Sequence, residues 1–356
     1  MRSAYIGSKH YLRTETEGAI CTGAGAGGNV PFPGRIDGHR VHGRGTVHPK
    51  PLVGHQAWHG SGRLNVNTLN QRTTVSEPDE TALRVGAAAS HEVEARNEEL
   101  ARLLASLMIE RRDRKAVQFR GGQGQFGYMP HIANSRGWQE RGETAEYLPF
   151  RLRDLVDHVT GARTYGHYLV NPENNSCRMF CFDIDLEKTG TFGGEAINPR
   201  EVWRGPTNDC KRDLANQMRD VAEALAFRAK LLLDVKVLVS YSGSKGMHVI
   251  GCLEPGTPAA DAREMMALVL DFFSDTIVPA RGNNFFTPTS FPSLSIETYP
   301  KQAEVDNEDG FGNLLRLPLG IHLKTGKPSF FLDLTKPRGT FGQDDPLLAL
   351  TKGSIR

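Results

Sequence analysis

From about residue 90 onward the chain carries regular apolar patterns, and before that point it carries none. Leu100, Leu103, Leu104, Leu107 and Met108 fall at the i, i+3, i+4, i+7, i+8 spacing that lays one apolar stripe along a helix, which the charged run ERRDRK ends. The segment PFRLRDLVDHVTG (149–161) predicts a second helix with Gly161 as its C-cap. Between them GGQGQFGYMP breaks the pattern and reads as a loop. The runs Tyr165–Val170 and MFCFDID, joined at NPENNS, predict an antiparallel hairpin. A helix follows over about 209–230, with Leu214, Met218, Val221, Ala222 and Leu225 on one face. Strand VKVLVSYS (235–242) runs into SGSKG and resumes as MHVIGCLE. Another helix covers about 259–276, and strands follow near SLSIETYP and within LLRLPLGIHLKTGKPSFFLDL. Strands outnumber helices and crossovers are mixed, so the expected class is α+β around a mostly antiparallel sheet.

Residues 1–85 differ from the rest. Glycine, proline and histidine recur there without apolar periodicity, which predicts a disordered segment. The charge balance adds little: Lys+Arg 43 against Asp+Glu 41 leaves +2, so any basic footprint is local. Five cysteines with no CxxC pair argue against a disulfide framework and fit a reducing compartment. Cys177, Cys181 and Cys210 are weighed as zinc ligands, but Cys181 sits inside an apolar run and reads as core. No stretch has the length of a membrane span and the N-terminus has no apolar signal region, so a soluble cytoplasmic protein is expected.

Four constellations carry candidate chemistry. In MFCFDIDLE the alternation of a strand sends Met179, Cys181, Asp183 and Asp185 to one side, and Phe180, Phe182 and Ile184 to the other. Two carboxylates one pleat apart repel unless a cation lies between them, which suits one or two hard divalent ions such as Mg²⁺ or Mn²⁺. A solvated DxD turn is the plain alternative; the apolar strand before it favours the metal. Next, Ser242-Gly243-Ser244-Lys245-Gly246-Met247-His248 is a tight turn between two apolar strands, where glycines admit an anion to the backbone and Ser244, Lys245 and His248 supply donors. Its strand–turn–strand context disfavours a Walker-type ATPase. Third, Glu297 alternates with apolar neighbours and is expected on the face of the aspartates. Finally, GNLLRLPLGIHLKTG (312–326) carries Arg316, His322 and Lys324 at the edges of an apolar segment. Carboxylates on one side and bases on the other suit a polyanion held through metals, the layout of nucleotidyl transfer.

The order FDID, SGSKGMHV, an acid followed by YPKQ, then LLRLPLGIHLKTG resembles the catalytic core of the archaeo-eukaryotic primase superfamily. In texture it is similar to primases of TOTE conflict systems and to CRISPR-associated primase-polymerases, over about residues 95–335. The resemblance implies an RRM-like palm (176–340) on a smaller N-terminal α/β module (90–175). It implies Asp183, Asp185 and Glu297 as catalytic metal ligands for two Mg²⁺ or Mn²⁺ ions. Ser242, Ser244, Lys245 and His248 would grip the triphosphate, and Arg316, His322 and Lys324 would face nucleotide or template. The implied partners are nucleoside triphosphates and a single-stranded DNA template, with a helicase or CRISPR and other defence proteins encoded nearby. The chain departs from the family in having no zinc stem or cysteine cluster, and no helicase follows the core, so strand extension is expected ahead of de novo priming. The competing readings are an end-joining-type gap-filling repair polymerase, a metal-dependent nuclease, and a non-catalytic nucleic-acid or nucleotide-binding module of a defence system.

Overall fold

The computed structural model describes residues 80–122, 124–135, 137–305, 310–338 and 341–356, with side chains from residue 90. The predicted disordered segment lies outside the described residues up to residue 79. Helix α1 (Glu80–Met108) buries Leu100, Leu104 and Met108 of the predicted stripe together with Ala101, leaves Leu103 and Leu107 half-buried, and stops before the charged run. Strands β1 (Ala116–Arg120) and β2 (Phe126–Pro130) follow as an antiparallel pair. The predicted loop at GGQGQFGYMP is therefore half strand: its glycines form the turn, and FGYMP is drawn into a ladder that local composition does not reveal.

Helix α2 (Leu152–Val159) starts where the Arg151 N–H donates to the Asp154 carboxylate at 2.7 Å and closes at Thr160, with Gly161 following at φ 78°. Strands β3 (Tyr165–Tyr168) and β4 (Ser176–Leu186) come next. They do not form the expected hairpin. Only Asn171 and Ser176 bridge across the turn, and the two strands then enter different sheets. The reason is edge occupancy: β4 is paired along both edges, so β3 finds its partners elsewhere.

The polar stretch that follows β4 folds as a small hairpin, β5 (Gly190–Phe192) and β6 (Glu195–Ile197), and a short helix α3 (Pro199–Arg204) capped by Asn198. Helix α4 (Asp209–Leu233) is capped by Asn208, whose side chain accepts from the Lys211 N–H at 2.8 Å. Strands β7 (Lys236–Tyr241) and β8 (Gly246–Pro258) flank the SGSKG turn. Helix α5 (Ala259–Asp271) ends a turn earlier than its apolar pattern, and leads to β9 (Ile277–Pro279), β10 (Phe285–Pro288) and β11 (Leu294–Tyr299). The last segment supplies β12 (Leu314–Arg316), β13 (Ile321–His322), β14 (Lys327–Pro328), β15 (Phe330–Phe331) and α6 (Pro346–Lys352).

The result is the expected α+β class with antiparallel sheets. A seven-stranded sheet runs β15-β7-β8-β4-β11-β10-β9, and α4 and α5 pack on it through Leu214, Met218, Leu225, Ala262, Met266 and Val269, all buried. A four-stranded sheet runs β12-β3-β1-β2. Cys177, Cys181 and Cys252 are buried free thiols, as a core reading requires. Among the described residues no helix is long and apolar enough to cross a membrane.

Candidate active site

Strand β4 lies at the centre of the large sheet. Phe180, Phe182 and Ile184 are fully buried on the face that α4 and α5 cover, and alternation turns Asp183 and Asp185 to the opposite face. The register then sets their neighbours. Asp183 stands across from His248 on β8 and from Glu297 on β11, so the three side chains form one row over the sheet. Asp185 stands across from Gly246 and Ser295. A Cβ on Gly246 would lie 2.4 Å from the Asp185 carboxylate and 2.5 Å from the Ile184 carbonyl, so glycine there is what leaves the carboxylate its place.

The turn between β7 and β8 is shaped by its own residues. Gly243 takes φ 73°, and the buried Ser242 hydroxyl accepts from the Gly246 N–H at 3.2 Å. Lys245 pairs with the Asp185 carboxylate. The Ser244 carbonyl accepts two bonds from outside the turn, from the Trp203 indole N–H at 2.5 Å and the Tyr241 hydroxyl at 2.7 Å.

The opposite wall comes from the four-stranded sheet and from the separate β13–β14 pair. Arg316 on β12, Tyr128 on β2 and His322 on β13 face the acids across a cavity of about 240 Å³, which Asp183, Asp185, Ser242, Ser244, Lys245, His248 and Tyr299 also line. This wall hangs on buried polar contacts. The Tyr165 N–H donates to His158 Nδ1 at 3.0 Å, so the imidazole is the Nε2–H tautomer and donates to the Pro318 carbonyl at 2.9 Å. Gln118 accepts from the Leu323 N–H at 3.0 Å, and the Thr164 hydroxyl donates to the Ile321 carbonyl.

Of the sequence-predicted residues, the cavity gathers Asp183, Asp185, Ser242, Ser244, Lys245, His248, Arg316 and His322. Glu297 stands beside Asp183 in the row but does not line the cavity; Lys301 pairs with its carboxylate. Lys324 is exposed in the β13–β14 turn, outside the cavity. The charges sort differently from a simple count of bases. Burial, then Arg316 and Lys245, hold His248 neutral with its pKa lowered to about 3; burial, then Arg316, lower His322 to about 4. Both are therefore neutral hydrogen-bonding groups at physiological pH, and Lys245 and Arg316 carry the positive charge. Asp183 is pushed the other way, its pKa raised by burial and then by Asp185, against the pull of Lys245, Arg316 and Lys301.

Two observations bear on what the site can hold. Arg316 Nη1 is buried with no hydrogen-bond partner, a donor suited to an anion entering the cavity. Among the described residues no three His, Cys, Asp or Glu side chains already converge as a metal site; Lys245 pairs with Asp185 and Lys301 with Glu297. The donor set itself, three carboxylates with Asp185 adding to the cost of charging the buried Asp183, fits a hard divalent cation. Sequence reasoning missed Tyr128, Tyr299 and Lys301. Lys301 had a local signal in its spacing of four from Glu297; Tyr128, within a glycine-rich stretch, had none.

Comparisons with known proteins follow from this geometry. The family described as TOTE conflict system, Archaeo-Eukaryotic Primase domain, matches residues 99–349. Among solved structures, the polymerase domain from Mycobacterium tuberculosis ligase D in complex with DNA is similar at 15% identity, with a TM-score of 0.30, over 74% of this chain and 84% of that one. No curated protein matches the chain.

Proposed function

Because the chain belongs to the archaeo-eukaryotic primase domain family of TOTE conflict systems, we propose that it is a template-directed nucleotidyltransferase, a primase-polymerase that joins nucleoside triphosphates on a single-stranded DNA template. The observation that carries this reading is that Asp183 and Asp185, with Lys245 paired beside Asp185, share one cavity with Arg316 on its opposite wall. Carboxylates alone would suit many metal enzymes; carboxylates opposed by a buried guanidinium whose Nη1 has no hydrogen-bond partner suit a substrate that is itself a polyanion.

In this reading Asp183, Asp185 and Glu297 hold one or two Mg²⁺ or Mn²⁺ ions. Such ions, when bound, lower the pKa of the attacking 3′-hydroxyl and offset the charge of the triphosphate. The chain's own residues do the rest. Arg316 donates from Nη1 to a phosphate oxygen, and Lys245, on a flexible stem beside Asp185, supplies a second cation to the same group. His248 and His322, held neutral, position by hydrogen bonding. Tyr128 and Leu315 line the cavity beside Arg316. The large sheet with α4 and α5 serves as an RRM-like palm, and residues 90–175 as the module that brings the opposite wall to it. Neither a covalent intermediate nor a general base on the chain is required, since positioning and charge carry the rate.

The test is incorporation of labelled nucleotide on a primed template with Mg²⁺ or Mn²⁺. Asp183→Asn is expected to cost at least about a thousandfold, an oxyanion-scale loss, while the fold is kept. Incorporation retained by that variant overturns the assignment.

A further inference from the structure

A second cleft lies on the other side of the SGSKG turn from the cavity. It encloses about 270 Å³, and its walls are of two kinds. Trp203 from α3, Phe341 and Tyr241 form an aromatic wall, with Phe341 5.4 Å from the Tyr241 ring and 6.0 Å from the Trp203 ring. Lys211 from α4 and Lys327 from β14 stand at its rim. Arg212, also at the rim, is paired with Asp209 on its own helix. The two lysines are not neutralised: among the described residues neither has a carboxylate within ion-pair distance, and Lys211 feels Lys327 as its charged neighbour. Lys211 lies 5.6 Å over the Trp203 ring and donates to the Gly205 carbonyl at 2.7 Å, which holds its ammonium at the cleft. Like charges held together beside a partly exposed aromatic wall favour a ligand with one anionic group and one flat apolar face.

We propose that this cleft binds an unpaired nucleotide of a single-stranded nucleic acid, its base against Trp203 and Phe341 and its phosphate between Lys211 and Lys327. The inference rests on the reading above that a nucleic acid strand is a substrate. Base–aromatic stacking accepts any base, and a lysine pair grips backbone without reading sequence, so the subsite is indifferent to sequence. The turn joins the two clefts. Trp203 and Tyr241 both donate to the Ser244 carbonyl, and Ser244 lines the nucleotide cavity on the other side. A strand seated on the aromatic wall therefore braces, from behind, the turn that meets the incoming nucleotide.

Binding is measured by fluorescence anisotropy with a fluorescein-labelled single-stranded oligodeoxythymidine, in the absence of nucleoside triphosphate. Lys211→Ala with Lys327→Ala, the first half-buried and the second exposed, should weaken binding about tenfold and flatten its salt dependence by roughly one phosphate contact. Trp203→Ala should weaken it by about five- to a hundredfold. Trp203→Phe, which keeps a ring but loses the N–H to Ser244, should bind close to the unaltered protein, so that loss of stacking is separated from loss of support for the turn. A double lysine variant that binds as tightly, with the same salt slope, overturns the proposal. So does displacement of the oligonucleotide by free deoxythymidine triphosphate at equal concentration, which would mark a mononucleotide site. If the strand binds through this cleft yet the unaltered protein incorporates no nucleotide, the polymerase reading fails and the strand site stands; the converse pair of results fails only the strand site.

Discussion

The two walls of the cavity are built by different physics. The acid wall belongs to β4, β8 and β11, and it stays in place because the reverse face of the same strands is buried apolar core: Phe180, Phe182, Ile184, Val249 and Ile296 are all fully buried. The base wall belongs to β12, β13 and β2, short strands whose position depends on buried polar bonds, above all His158 between the Tyr165 N–H and the Pro318 carbonyl. Packing tolerates a change of pH; a buried imidazole with both nitrogens committed does not. The side that holds carboxylates is therefore the rigid one, and the side that presents Arg316 is the one conditions can loosen.

The largest effect separates the walls from the apolar side. Phe182→Ala should cost about 3–5 kcal/mol in urea unfolding, because it empties the packed face directly behind Asp183. A cost below 1 kcal/mol would mean the acid wall is not held by core packing.

Acid attacks the other wall. Burial keeps His158 neutral, lowering its pKa from 6.5 to about 4, and His167, likewise buried, falls to about 3. Below pH 6.5 the unfolded chain takes up protons that the folded chain refuses, so stability is fully present above pH 6.5 and is lost as pH falls through that value towards 4. For His158 the loss approaches about 3 kcal/mol at about 1.36 kcal/mol per unit. Hydrogen exchange at mildly acidic pH should show residues 314–322 losing protection before β4 and β8, and His158→Gln should flatten the pH dependence of the urea midpoint. Loss of protection in β4 first would reverse the comparison.

A smaller perturbation tests the junction of the walls. Gly246→Ala drives a methyl into the Asp185 carboxylate and the Ile184 carbonyl. The expected cost is about 1–3 kcal/mol, with nucleotide incorporation reduced by more than the loss of stability explains. A variant with both stability and incorporation intact would show that Asp185 has room to move.

The acid wall was legible in the sequence and the base wall only in part, for the same physical reason. Asp183, Asp185 and Glu297 follow from period-two alternation, a local rule, and the register brings Glu297 beside Asp183. The SGSKG turn is likewise local. The partnership of β3 is not: it pairs with β1 and β12 across long stretches of chain, which is why the adjacent runs looked like a hairpin. Tyr128 joins the cavity only through that pairing. Nor can residue type reveal burial, so His248 and His322 read as bases although the folded chain keeps them neutral. Trp203 lay in a polar stretch with no periodicity to mark it, and Lys211 on the polar side of the expected helix over about 209–230, where a lysine reads as solvated surface.

The membership of β12 in the small sheet has a consequence for synthesis. Strand β3 emerges from the ribosome early, yet its partner across residues 166–168 is made only after six of the seven strands of the large sheet have been translated. Until then β3 offers an open edge to other chains, and a fragment cut before residue 314 would keep that edge exposed for good. Expression of C-terminally shortened forms should therefore favour aggregation over a free-standing N-terminal module.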